Sequence, residues 1–293
     1  SAADVTNAAN NNWRITGNAG TTPPTSVGAA VGANNYWGTS DAKNLAVGTN
    51  GTTRAIFDQN GNINGGSGST ASGVNSIIWG LSHTNTGNQN AVFGNNNILI
   101  GGNSIVAGGG NKDSADYTLV AGNSNIVSKN SNSTLTVGDG NINLGSWGSI
   151  MGGQNNILQP NTEQSIVVGF QDTLVDNAPG NAVFGYYNRI QGGFSLVSGN
   201  NNKAKDAFFS LISGSNNIDS ARYTLVAGLN NIVSRSMRYA TVIGSFNQPV
   251  SNSLFLIGNG TGAGARSNVM TALTNGNVGI GTTTPTNRLH VTA

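Results

Sequence analysis

The sequence predicts an all-β fold, a parallel β-solenoid built from 14-residue coils. Three observations predict it: a glycine recurring at a near-constant interval, a branched aliphatic residue two positions before it, and an asparagine-rich turn after it. The closing glycines are Gly80, Gly94, Gly108, Gly122, Gly138, Gly152, Gly169, Gly185, Gly199, Gly214, Gly228, Gly244 and Gly258. Their spacings are 14, 14, 14, 16, 14, 17, 16, 14, 15, 14, 16 and 14 residues. A fixed period sustained over thirteen markers is the signature of stacked repeats.

The strand before each glycine comes first. Two residues ahead of the markers stand Ile78, Val92, Val106, Val120, Thr136, Ile150, Val167, Val183, Val197, Ile212, Val226, Val242 and Leu256. All but Thr136 are branched aliphatics, which fit a pleated, buried surface. Neighbours such as Ile77 and Trp79, Leu119 and Ala121, or Ile166 and Val168 are apolar too. Side chains alternate faces along a strand, so this strand is apolar on both sides. One side lines the coil, and the other needs a second cover.

The turn and a weaker second strand follow, as in Asn97-Ile98, Asn125-Ile126, Asn156-Ile157, Asn217-Ile218 and Asn231-Ile232. Gly and Asn tolerate positive φ, so they suit a corner repeated in every coil. The asparagine excess therefore reads as corner geometry and as side-chain ladders between coils. Coils longer than 14 residues hold their extra residues around Lys129, Glu163, Asp176 and Arg235. At about 4.8 Å per coil the stack is a rod of roughly 60 Å. A single coil encloses a narrow core, and with the doubly apolar strand this predicts side-by-side association of several rods.

Composition agrees. Of 293 residues, 43 are Gly and 47 are Asn, and only 8% are charged, against about 25% in an ordinary soluble domain. Thirteen Lys and Arg against eleven Asp and Glu leave a net charge of +2. That excludes a nucleic-acid binder working through a basic stripe, and a charged disordered tail. Cysteine is absent, so disulfides, thiolate metal sites and cysteine nucleophiles are excluded, and an oxidising exterior is tolerated. No run of 18 apolar residues predicts a membrane span. A chain opening at Ser1 without a signal segment is expected to be a processed or excised form.

Repeats such as Ser165-Ile166-Val167-Val168-Gly169, followed by an Asn-rich turn, resemble the YadA-type head of trimeric autotransporter adhesins over residues 76–258. The resemblance implies a left-handed parallel β-roll and a parallel homotrimer. Trp13 to Gly20, Tyr36 to Thr39 and Arg54 to Ile63 look like a module of bacterial surface and phage-tail-like fibres. Asn275 to Pro285 with Arg288 to Val291 is similar to the linker preceding an endosialidase-type chaperone, itself missing here. The organisation expected is a β-rich fibre module over 1–65, the roll over 66–260 and a hairpin linker over 261–293. Asn60-Gly61 and Asn275-Gly276 suit tight hairpin turns on their own chemistry.

Catalytic chemistry is sparse. His83 and His290 lie at opposite ends of the rod, so a shared metal site or triad is not expected. Asp113 with Asp116, and Asp172 with Asp176, are the closest carboxylate pairs, and both read as solvated loop charges. The expectation is no catalytic, cofactor or metal site. Aromatic residues carry the binding expectation: Trp13, Tyr36 and Trp37 near the amino terminus, and Tyr186 with Tyr187 in a turn. Exposed rings stack on sugars or pack against proteins. Trp79 and Trp147 read as interface residues. The function expected is a non-enzymatic extracellular trimeric fibre, on a bacterial surface or a phage-like tail, that binds cell-surface glycans or proteins. The alternative is a structural spacer whose binding tip lies elsewhere.

Overall fold

The computed structural model describes residues 41–292, and every named element among them is a β-strand. Two sheets run along the rod, a parallel one of 12 strands and one of 19 that is parallel except for antiparallel strands at its ends. Each coil sends a five-residue strand to the broad sheet and a two- or three-residue strand to the narrow one. Ile105–Gly109 followed by Lys112–Asp113 is one such coil. Neighbouring coils pair in parallel and in register: Val106 sits between Val92 and Val120, and Gly108 between Gly94 and Gly122.

The register corrects one marker. Gly153, not Gly152, aligns with Gly138 and Gly169, so Met151 points inward where Ile150 was expected. Met151 is buried and Ile150 exposed. Two adjacent glycines satisfy the repeat equally well in one dimension, and only the hydrogen-bonded neighbours choose between them. The longer coils put their extra residues between the short strand and the next long one, as expected at Lys129, Glu163, Asp176 and Arg235.

Corners make the coil possible. After the long strand, Asn96, Ser124, Asn155, Asn201, Asn216 and Asn230 adopt φ of +52° to +56°. The closing glycine is required on two grounds. Gly185 has φ +140°, and a methyl group added there would lie inside the Gly199 carbonyl oxygen of the next coil. Left-handed backbone and close interstrand approach both select glycine.

The core between the sheets is one side chain thick from each side. Val92, Leu99, Val106, Val120 and Val127 are fully buried in one apolar cluster, which extends from Ile78. A second cluster runs from Met151 to Leu256. The rung between them holds Thr136 and Asn143, both buried and both polar. Asn143 is satisfied by Ser131 and Ser146, whereas Thr136 Oγ1 has no partner. The sole polar residue in the aliphatic column thus splits the core into two parts.

Buried polar groups need partners, and two side-chain ladders supply them. In one, Asn97, Asn111, Asn125, Asn141 and Asn156 stack inside the corner after the long strand. Each Oδ1 accepts the backbone N–H of the next asparagine at 3.0–3.1 Å. Each Nδ2 donates to the glycine carbonyl of the following coil, as Asn111 does to Gly122 at 2.9 Å. The second ladder precedes the long strand and runs through Asn62, Ser76, Asn90, Ser104 and Thr118. The asparagine excess is structural, as the turn pattern predicts.

Both ends are capped by antiparallel strands, which hide the open sheet edges. Leu45–Thr49 and Thr52–Phe57 form a hairpin that pairs with Ile63–Gly65, and Ile63–Gly65 opens the parallel stack by pairing with Ile77–Leu81. At the other end Asn268–Leu273 pairs with the last rung, Ser253–Asn259. Gly61 and Gly276 sit in the connecting turns at φ +79° and +85°.

Candidate functional site

The outer face of the broad sheet is the most unusual surface of the described residues. Position by position it exposes what the inner face would bury: Ile77, Trp79, Phe93, Ile105, Leu119, Val168, Phe184, Leu196 and Leu211 are each 38% or more exposed. Isolated exposed apolar residues are normal, but a contiguous apolar face marks an interaction site. The face is continuous because the closing glycines stay in register from coil to coil.

One edge of this face carries a column five residues before each closing glycine. Its backbone turns through positive φ, and most coils place Asn, Gln, Ser or Gly there. Four successive coils place an aromatic ring instead. Phe194, Phe209, Tyr223 and Tyr239 stack with centroids 5.2, 5.3 and 5.2 Å apart and planes within 10° of parallel. Their φ values are +56° to +65°, a region bulky residues seldom adopt. Phe194 lies over Gly180, where any side chain would clash with its ring. The stack borders a groove floored by Leu196, Leu211 and Leu225. Only the two terminal rings have a face free of ring neighbours, so the stack presents edges rather than flat platforms.

The opposite edge, one residue before each glycine, varies in size in the reverse sense. Coils with Phe194, Phe209 and Tyr223 carry Ser198, Ser213 and Ala227 there, and the coil with Tyr117 carries Ala121. Coils with Trp79, Phe93 and Phe184 carry Asn75, Gln89 and Gly180 in the aromatic column. Tyr239 with Ile243 departs from the pattern. Among the described coils none carries an aromatic ring on both edges. Aligning residues at offsets of −5 and −1 from each glycine makes this visible in the sequence, where the single glycine period alone does not.

Tyr186 is not in the turn expected of it but ends the strand Ala182–Tyr186, in register with Phe170 and Asn200. Tyr187 alone turns the corner, at φ +59°. The two are 59% and 50% exposed. Phe170 of the preceding coil packs against both, at 6.3 and 5.5 Å between centroids. Trp79 and Trp147 are about half exposed. Trp13, Tyr36 and Trp37 lie outside the described residues.

The acidic residues correct the sequence reading. Asp113 and Asp172 are buried rather than solvated, and so is Asp219. Asp113 and Asp219 point inward from the narrow sheet, each accepting from the backbone N–H two residues on and from a threonine hydroxyl, Thr118 or Thr224. Burial pushes all three carboxyls above the ordinary aspartate value, and hydrogen bonds pull part of the way back. His83 starts the asparagine ladder, its Nδ1 accepting from Asn97 N at 3.2 Å, and burial lowers its pKa. Each of these groups serves a ladder or a turn. Among the described residues no three His, Cys, Asp or Glu side chains converge, and no helix is long and apolar enough to cross a membrane. The arrangement offers surfaces for binding. Set against known proteins, the chain matches no protein-family model and no curated protein sequence.

Proposed function

We propose that this chain is the head of an extracellular, non-enzymatic trimeric fibre, with the broad sheets of three parallel copies packed together and the corners left outside for adhesion. The size-matched edges of the apolar face carry the reading. In a ring of parallel copies each interface joins one edge of a chain to the other edge of its neighbour. At equal height, Phe194, Phe209 and Tyr223 then meet Ser198, Ser213 and Ala227. Trp79 and Phe93 meet Asn75 and Gln89 in the same way, while the space beside Gly180 is already taken by Phe194. A face about 60 Å tall and four residues wide, about 13 Å, presents on the order of 800 Å², the share per partner of a standard stable interface. The resemblance of the repeats to YadA-type heads and the absence of cysteine fit the same reading. The corner at Tyr187, with Tyr186 exposed at the end of the strand that enters it, is the adhesive surface, because turns tolerate variation.

Light scattering tests the assembly directly, with three times the chain mass as the expected result and a monomeric mass overturning it. Ser213→Trp should break the trimer by overfilling the place opposite Phe209. Adding Phe209→Ala should restore it. Cell and glycan binding by the intact trimer tests adhesion, and a stable trimer that binds neither favours the spacer.

A further inference from the structure

The outer face of the narrow sheet is mostly apolar or neutral, with Ile142, Ile157 and Thr173 on three successive rungs. The next two rungs break the run with cations. Arg189 and Lys203 are direct register partners, and Lys205 pairs with Gln191 one pleat further along the same face. All three are exposed, flanking the buried Ile190 and Ala204. Like charges on facing strand positions repel, and among the described residues no acid pairs with them. The one ion pair among the described residues joins Arg235 to Asp206, so the carboxylate that follows Lys205 is already engaged. Three of the chain's thirteen cations therefore stand together unpaired. Beside them is the corner at Tyr187, two residues before Arg189, with Tyr186 ending the strand that enters it.

We propose that Tyr186, Tyr187, Arg189, Lys203 and Lys205 form a binding site for an acidic polysaccharide, its sulfate or carboxylate groups held by the cations. The inference rests on the adhesive reading of the fibre and names the ligand class. Neighbouring rungs lie about 4.8 Å apart, close to the length of one pyranose unit. A sugar chain running along the rod therefore meets one rung per residue and sets successive acidic groups over Arg189 and Lys203. The guanidinium of Arg189 matches a sulfate or carboxylate with two parallel hydrogen bonds. The tyrosines supply ring surface and hydroxyls at the edge of the site. Nucleic acid is a poorer fit, since its phosphates advance about 3.4 Å per strand along the axis, out of step with rungs about 4.8 Å apart. Membrane recruitment calls for about four to eight clustered cations. One such site is weak, and three copies on a trimer strengthen it by avidity.

The test uses the full chain against three immobilised probes: a heparin oligosaccharide, a polyglucuronate and a neutral glucan. Binding to either acidic probe, weakening as salt rises, and none to the glucan is the expected result. Heparin alone or polyglucuronate alone identifies sulfate or carboxylate as the group held. Arg189→Gln with Lys203→Gln should lower affinity at least about tenfold, some 1.4 kcal/mol, with melting temperature and mass unchanged. Lys205→Gln, at the margin of the patch, should give a smaller loss. No binding to either acidic probe, or binding that survives the double substitution, overturns the proposal. A cell-binding arm keeps the two readings apart. If the parent binds cells and the double variant binds equally well, this site is wrong and the adhesive fibre stands. If the parent binds neither cells nor glycans, the adhesive reading itself fails.

Discussion

Asp172 takes both donors of Asn188 on a single oxygen. Its Oδ1 accepts the backbone N–H at 2.8 Å and the side-chain Nδ2–H at 2.9 Å. Its Oδ2 is buried without a partner. Asn156, one coil earlier, uses the equivalent position as a donor to Gly169 O at 2.9 Å, and Asn188 donates likewise to Gly199 O at 3.0 Å. Asp172 Oδ2 shares the space beside Gly169 with the Gly185 carbonyl oxygen. Two acceptors repel there unless the carboxyl keeps its proton, which also fits the upward push from burial.

Asp172→Asn should therefore stabilise the rod more at pH 8 than at pH 4. A folded-state pKa above the unfolded value of about 3.9 gives stability that is full below that value. It is lost as pH rises through the raised folded value. The amide restores the missing donor and does not titrate. Thermal melts of parent and variant at the two pH values check this, and an equal shift at both would refute it. Asp113 and Asp219, also raised, keep some pH dependence in the variant.

Thr136→Val should raise the melting temperature. The hydroxyl is buried without a partner, and an apolar group of the same shape removes a desolvation penalty of about 1–3 kcal/mol. It also joins the two apolar clusters. Hydrogen exchange around Thr136 should slow in the variant, and an unchanged melt would show the hydroxyl to be solvated.

Gly185→Ala should prevent folding or cost several kcal/mol, of the order seen when strain and backbone clash combine. Gly264→Ala should be nearly silent, because nothing lies within 4 Å of the added carbon. Comparable melts for the two variants would contradict the account of the closing glycine.

Val167→Asp places an unpaired charge at a fully buried position, a change that costs enough to unfold a marginal domain. Circular dichroism should show loss of the β signal. Lys129→Asp, on an exposed insertion, should leave it intact.

Chelation should leave the melting temperature unchanged, since the ladders are held by amides and hydroxyls. A fall of several degrees in EDTA would mean that asparagine carbonyls in the turns ligate a cation.

The sequence by itself determined the coil, its period and its inward column, because these follow from short-range alternation and from residues that tolerate positive φ. Val106 and Leu256 are inward on that ground alone, and the structural use of asparagine follows from its place in every turn. The tertiary structure decided what depends on neighbours one coil away. Gly152 and Gly153 are equivalent until Gly138 and Gly169 set the register. Asp113 and Asp172 look like loop charges until the column places them inside. Phe194 and Phe209 are fifteen residues apart in sequence, yet their rings lie 5.2 Å apart. A one-dimensional period records how often a position returns. Only the stacked coils record what it returns to, and burial, ring contacts and charge pairing are properties of that second list.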